Sequence, residues 1–279
     1  MLKILLPTDF SNASLNAIEY AIKLYENSKE EMTFVLLHTV FVHGTTADTI
    51  RTKEDTLIKE AEVNLKKLCQ KYQEKYPSAG QFDYTTRLGD IRYQVEQLVE
   101  NENFDLIIMG TKGATGIEKV LIGSNATEVL KNRNCPTIIV PQNGHNLPVK
   151  KILYACDFTE IDHELELLVQ FAKVLNAEIH MVHFYPEALS GASIEVKKIR
   201  EELVEKYDYP KIKLFAEMEN RIVDGILNYG RDQKMDLVVM FTEKRSYMNE
   251  LFGKSLTKEL AFIANFPLMA IPRKPIEID

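Results

Sequence analysis

Chemistry concentrates in one stretch of the chain: Met109-Gly110-Thr111-Lys112-Gly113, nine residues, then Gly123-Ser124-Asn125. Glycines let a phosphate approach the backbone with no Cβ in the way, and bare amides at a helix start carry partial positive charge. That is chemistry suited to a nucleotide's phosphates. The same glycines also serve any sharp turn, so their spacing alone does not decide between the two uses. A second polar group, Pro7-Thr8-Asp9-Phe10-Ser11, closes the first apolar run of the chain.

The elements around these residues give them a setting. Phe104 to Met109 is short, β-branched and uninterrupted, as a strand buried on both faces should be, and Ala126 to Leu130 reads as the first turn of a helix. Leu2 to Pro7 is a buried strand followed by a helix capped by Ser11, with Leu15, Ile18, Ile22 and Tyr25 as its apolar stripe. Thr33 to His38 is a second strand, and Lys53 to Tyr76 a long helix with Leu57, Ala61, Leu65, Leu68 and Tyr72 on one face. Phe82 to Leu88 is a weaker strand. Asp90 caps the next helix, whose stripe is Ile91, Val95, Leu98 and Val99, and Thr137 to Val140 is a fifth strand bounded by Pro136 and Pro141. Alternation of this kind predicts a parallel sheet with helices on both faces.

After a polar linker, Gln142 to Val149, the pattern begins again. Lys150 to Thr159 matches Leu2 to Ser11 nearly position for position, with Asp157 answering Asp9. Leu237-Val238-Val239-Met240 answers Leu106-Ile107-Ile108-Met109, Pro267 to Pro272 answers Pro136 to Pro141, and Asn220 stands where a cap would begin a helix through Ile222, Ile226 and Leu227. A repeat this long means two whole domains, expected at residues 1–142 and 150–279. The fold class is therefore α/β, two tandem doubly wound domains.

Bulk properties narrow the function. A hydrophobic content of 45% with 27% charged residues is that of a globular chain, and no apolar run approaches a membrane span. The net charge of −7 with scattered Lys and Arg opposes a nucleic-acid or membrane-surface partner. Cys69, Cys135 and Cys156, an odd and sparse set, offer neither a disulfide framework nor a CxxC pair. The start lacks a signal-peptide layout, so a cytoplasmic location is expected. His38, His180 and His183 lie on second strands and read as structural, Cys156 as a small buried hydrophobe, and Lys112, Lys244, Arg245 and Lys254 as solvated charge.

Taken together, Pro7-Thr8-Asp9-Phe10-Ser11, Gly89-Asp90 and Gly110-x2-Gly113-x9-Gly123-Ser124 make the chain resemble the universal stress protein family, as a tandem two-domain member. The resemblance implies five-stranded parallel sheets in the order 3-2-1-4-5, with a ligand crevice where the strand order reverses. It implies ATP, ADP or AMP as ligand, with magnesium as an optional companion. Pro7, Thr8 and Asp9 would then belong to the nucleotide site, Asp9 near the ribose and adenine, and backbone around Thr39 and Val40 would read the adenine edge. Met109 and Gly110 would seat the ribose, and Gly113, Gly123, Ser124 and Asn125 would surround the phosphates. It further implies that fifth strands pair, here within one chain, and leaves room for a homodimer through other surfaces.

The second half departs from this pattern. Phe241 replaces the first glycine and Lys244 the second, and Gly253 stands twelve residues after Phe241 where Gly123 stands thirteen after Gly110. A ring there would occupy the ribose position, so nucleotide is expected in the N-terminal domain only. The expected role is a stress-response sensor or adaptor. The alternatives are slow ATP hydrolysis at the same site, for which no catalytic residue emerges, and an interaction module that binds no nucleotide.

Overall fold

The computed structural model describes residues 1–26, 28–41, 47–111, 124–130, 134–142, 148–156, 161–186, 196–241 and 266–272. It divides into two compact units, Met1–Gln142 and Asn143–Asp279.

The first unit runs β1 (Leu2–Pro7), α1 (Asn12–Leu24), β2 (Met32–Val40), α2 (Ala47–Lys75), β3 (Gln81–Leu88), α3 (Ile91–Glu102), β4 (Leu106–Gly110), α4 (Ser124–Leu130) and β5 (Thr137–Val140). Its strands are parallel and ordered β3-β2-β1-β4-β5. Ile4, Leu5 and Leu6 of β1 and Ile138, Ile139 and Val140 of β5 are wholly buried. That is why these strands are continuous apolar runs: helices cover both faces of a parallel sheet. β3 pairs with β2 from Thr33↔Gln81 to Val40↔Leu88 yet stays largely exposed, as its weaker sequence pattern predicts for an edge.

Helix starts follow local chemistry. Ser11 caps α1 by accepting from the Ser14 amide, and Asp90 caps α3 by accepting from the Arg92 amide. α2 buries Ala61, Leu65, Leu68 and Tyr72, but Leu57 is exposed, contrary to the stripe expected of it. A helix of 29 residues is about 43 Å long. The strands it covers, of 8 and 9 residues, span only about 30 Å, so part of the helix overhangs the sheet.

The second unit runs β6 (Lys151–Ala155), α5 (Ile161–Leu175), β7 (Glu178–Tyr185), α6 (Val196–Tyr207), β8 (Ile212–Met218), α7 (Ile222–Asp232), β9 (Leu237–Phe241) and β10 (Leu268–Ile271). Its parallel strands are ordered β8-β7-β6-β9-β10, the topology of the first unit. The cap of α7 is Arg221 rather than Asn220. The Arg221 carbonyl accepts from the Gly225 amide, so the helix begins one residue later than the Asn would place it, and the Arg221 guanidinium pairs with Asp224 at 3.1 Å. His180 is buried between the Tyr229 hydroxyl, 2.8 Å from Nδ1, and the Glu178 carboxylate, 2.5 Å from Nε2, which is a structural role. Among the described residues no helix is long and apolar enough to cross a membrane.

Candidate functional site

The site begins as a gap between strands. β1 stays paired with β2 as far as Pro7↔Leu37, and β4 with β5 as far as Gly110↔Val140. The pairing of β1 with β4 stops earlier, at Leu5↔Ile107. Their carboxyl ends therefore part, at the point where the strand order reverses, and open a crevice of the kind that holds ligands in doubly wound sheets. A cleft of about 260 Å³ lies there, lined by Pro7, Thr8 and Asp9 on one side and Met109, Gly110 and Thr111 on the other; Ser11, Ser14, His38, Thr39, Ile91, Asn125 and Ala126 complete it.

The β1–α1 turn is held rigid by its own polar groups. The Thr8 amide donates to the Leu37 carbonyl at 2.8 Å, and the Thr8 and Ser14 hydroxyls share a hydrogen bond of 3.0 Å. The Phe10 amide donates to Thr8 Oγ1 at 3.1 Å, and Phe10 takes φ 61°, a left-handed conformation unusual for an aromatic residue. Burial works to raise the Asp9 pKa, but the hydroxyl and amide of Ser11 and the hydroxyl of Ser14 outweigh it and hold the carboxyl below its ordinary value. An ionised Asp9 accepts hydrogen bonds and repels anions. It suits hydroxyl or amine donors rather than phosphate.

Thr39 and Val40 separate by backbone direction. Along a strand in a parallel sheet, successive residues turn their N–H and C=O to opposite neighbours. The Leu37 carbonyl accepts from Thr8 on the β1 side, and the Val40 carbonyl accepts from the Gly89 amide on the β3 side at 2.9 Å. Thr39 therefore aims its N–H and C=O towards the β1 side, past the end of β1 and over the cleft. Val40 is absent from the lining, and its carbonyl is already taken.

Gly110 answers to packing. A Cβ there would lie 2.4 Å from the carbonyl oxygen of Ala13, so only glycine lets the first turn of α1 rest against β4. Beside it the Thr111 hydroxyl is buried without a hydrogen-bond partner among the described residues. A buried hydroxyl left unpaired is costly, so one at a cleft marks a place where a ligand oxygen or water fits. Asn125 and Ala126 reach the cleft from α4. Gly113, Gly123 and the Ser124 side chain, like Lys112, Asp157, Lys244, Arg245, Gly253 and Lys254, lie outside the described residues. Sequence reasoning gave no site role to Ser11, Ser14, His38, Ile91, Thr111 and Ala126; only Ser11, read as the cap of α1, and Ser14, one helical turn after it, carried a signal that could have found them. Among the described residues no three His, Cys, Asp or Glu side chains gather to hold a metal ion.

The second unit differs at the matching position. Phe241, which answers Gly110, is buried, and its ring meets Tyr154 edge-on with centroids 5.6 Å apart. The Tyr154 hydroxyl in turn donates to the buried Glu164 carboxylate. One device is common to both units: His38 Nδ1 lies 2.8 Å from the Thr8 carbonyl, and His183 Nδ1 lies 3.0 Å from the Cys156 carbonyl.

Comparison with known proteins extends these observations. The profile of the Universal stress protein family matches residues 1–141. A universal stress protein of Methanocaldococcus jannaschii is 33% identical over 141 residues, covering 50% of this chain and 81% of that protein. A universal stress protein G of Shigella flexneri is 28% identical over 145 residues, covering 49% and 96%. Among solved structures, a universal stress protein from Archaeoglobus fulgidus DSM 4304 superposes with a TM-score of 0.74 at 20% identity and covers 98% of both chains, a likeness of fold that runs through the second unit.

Proposed function

Since the chain belongs to the universal stress protein family, we propose that it binds one adenine nucleotide in the cleft of its first unit and acts as a stress-response sensor or adaptor. The observation that carries this reading is the cleft at the parting of β1 and β4, with an ionised acceptor at one wall and an unpaired buried hydroxyl at the other. The ribose hydroxyls donate to Asp9. The Thr39 N–H and C=O supply a donor and an acceptor for the edge of the base, as Watson–Crick-type edges require. The phosphates extend from Thr111 towards Asn125, and Gly113, Gly123 and Ser124 are the residues that the family resemblance assigns to them. Magnesium, when it accompanies ATP, takes its ligands from the phosphates and water.

The second unit carries Phe241 and Lys244 where the first carries Gly110 and Gly113, so it serves as a partner domain and not as a second site of the same kind. The action is binding, since Asp9, the one carboxylate lining the cleft among the described residues, is engaged with Ser11 and Ser14 on the ribose side. The test is mass spectrometry of gently purified protein for co-purified ATP, ADP or AMP, followed by calorimetry with magnesium and ATP. Absence of binding, or binding undiminished by Asp9→Ala, overturns the reading.

A further inference from the structure

We propose that His38 reads the base beside the Thr39 backbone: its ring is fixed as the Nδ1–H tautomer, and its bare Nε2 accepts a hydrogen bond from an exocyclic amine, so the cleft selects 6-amino over 6-oxo purines. The inference rests on the nucleotide reading of the first unit and assigns one residue its specificity.

The tautomer follows from the partner of Nδ1. The Thr8 carbonyl oxygen, 2.8 Å away, can only accept, so Nδ1 carries the proton and Nε2 in the neutral ring is a bare acceptor. The carbonyl cannot swing away to release it. The Thr8 amide is bonded to Leu37, and the Thr8 hydroxyl is tied to Ser14 and to the Phe10 amide. The ring is held from its face as well: Phe10 packs on it with centroids 4.7 Å apart, tilted by 40°, and does so from a left-handed backbone conformation. Strain kept in place by surrounding bonds is a mark of sites that need fixed geometry.

With Nδ1 committed, Nε2 is the polar atom that the side chain has left for a ligand. It has no partner among the described residues, and His38 lines the cleft next to Thr39, whose amide group is aimed into the same space. These two residues belong to β2, on the far side of β1 from β4 and Thr111. The base end of the ligand, and not its phosphate end, therefore meets the imidazole. A 6-amino purine puts a donor against Nε2, whereas a 6-oxo purine puts an acceptor there and leaves both unpaired. The pin from Nδ1 recurs at His183 and so belongs to the fold; the use of Nε2 belongs to the cleft.

Calorimetric affinities for ATP and ITP in the full chain test this, with His38→Asn and His38→Gln as variants. The Asn amide takes the place of Nδ1 and keeps the bond to Thr8 but leaves nothing at Nε2. The Gln amide takes the place of Nε2 and can present either oxygen or nitrogen. Wild type is expected to prefer ATP by about tenfold or more, the loss of one paired group in a desolvated site. His38→Asn is expected to unfold at the wild-type midpoint, to bind ATP about tenfold more weakly and to lose the part of the preference that Nε2 supplies, leaving what the Thr39 backbone contributes; His38→Gln is expected to lose that part by gaining ITP. Equal affinities in wild type, or an undiminished preference in either folded variant, overturn the role of His38 while leaving nucleotide binding intact. Binding of neither nucleotide overturns the reading beneath it as well. If neither variant folds, nitrogen-15 spectra of the wild type decide: the Nε2 resonance must be that of a bare nitrogen and must shift with ATP but not with ITP, and a protonated Nε2 or an equal response refutes the assignment.

Discussion

Replacing Gly110 by alanine adds one methyl group where the structure has no room for it. The new Cβ would lie 2.4 Å from the Ala13 oxygen, 2.6 Å from the Ala13 carbonyl carbon and 3.1 Å from the Ser14 nitrogen. These are backbone atoms and cannot rotate aside. Relief to an ordinary contact of about 3.5 Å needs the first turn of α1 to withdraw by about 1 Å. Overpacking of this kind costs about 1–3 kcal/mol, and the stiffer unfolded chain returns about 0.4–1 kcal/mol, so a net loss of about 1–2 kcal/mol is expected. For a unit of this size that lowers the unfolding midpoint by roughly 2–8 °C. The displaced turn carries Ser11 and Ser14, which hold Asp9 and Thr8 in position, so ATP affinity should fall about tenfold, equivalent to about 1.4 kcal/mol. Differential scanning calorimetry and titration calorimetry read the two effects. Gly89→Ala is the control: its Cβ would meet nothing nearer than Gln94 Nε2 at 3.8 Å, and at φ 107° it suffers only backbone strain. The control should lose about 1 kcal/mol of stability and leave affinity unchanged. A Gly110→Ala protein with wild-type midpoint and affinity would refute the close approach of α1 to β4.

Three further outcomes are expected. Phe241→Ala should cost about 3–5 kcal/mol in urea denaturation, because it empties a buried site beside Tyr154; a loss below about 1 kcal/mol would mean that the ring only lies over an open surface. Asp90→Ala should cost about 1 kcal/mol as the cap of α3 is lost. Hydrogen bonds from the Arg92 guanidinium lower the Asp90 pKa from 3.8 to about 2 against partial burial, so its contribution is complete above the unfolded value and disappears as pH falls through about 2. The pair is largely exposed, so that contribution is small and should shrink further in salt, which acid titrations of stability with and without salt will read. Burial, with the charge of Asp105 behind it, pushes the Cys135 thiol up to about 12, and burial with Asp83 pushes Cys69 up to about 11. Both should resist iodoacetamide near neutral pH until denaturant is added; rapid labelling of the native protein would contradict their burial.

The fold was legible because its signals are local. Continuous apolar runs such as Ile4 to Leu6 and Ile138 to Val140 declare strands buried on both faces, and Ser11 and Asp90 announce the helices that follow. The repeat of Leu2 to Ser11 at Lys150 to Thr159 extends that reading to the second half. What stayed hidden depends on geometry between segments. That Thr39 faces the cleft and Val40 does not follows from register and alternation, which no spacing along one strand reveals. Gly110 looked like a seat for a ribose, yet its nearest constraint is the backbone of Ala13, nearly a hundred residues earlier. The overhang of Leu57 depends on how far α2 outruns the strands beneath it, and the cap at Arg221 on which carbonyl first meets an amide one turn on, that of Gly225. His38 read as structural from its place on a second strand; the Thr8 carbonyl at Nδ1, which distinguishes its two nitrogens, is a contact between segments that spacing does not show.

Native mass spectrometry of the whole chain, titrated with ATP, tests the account most directly. It predicts one nucleotide per chain, weakened by Asp9→Ala and untouched by Asp157→Ala. No bound nucleotide, or two per chain with equal sensitivity to the two substitutions, would contradict it.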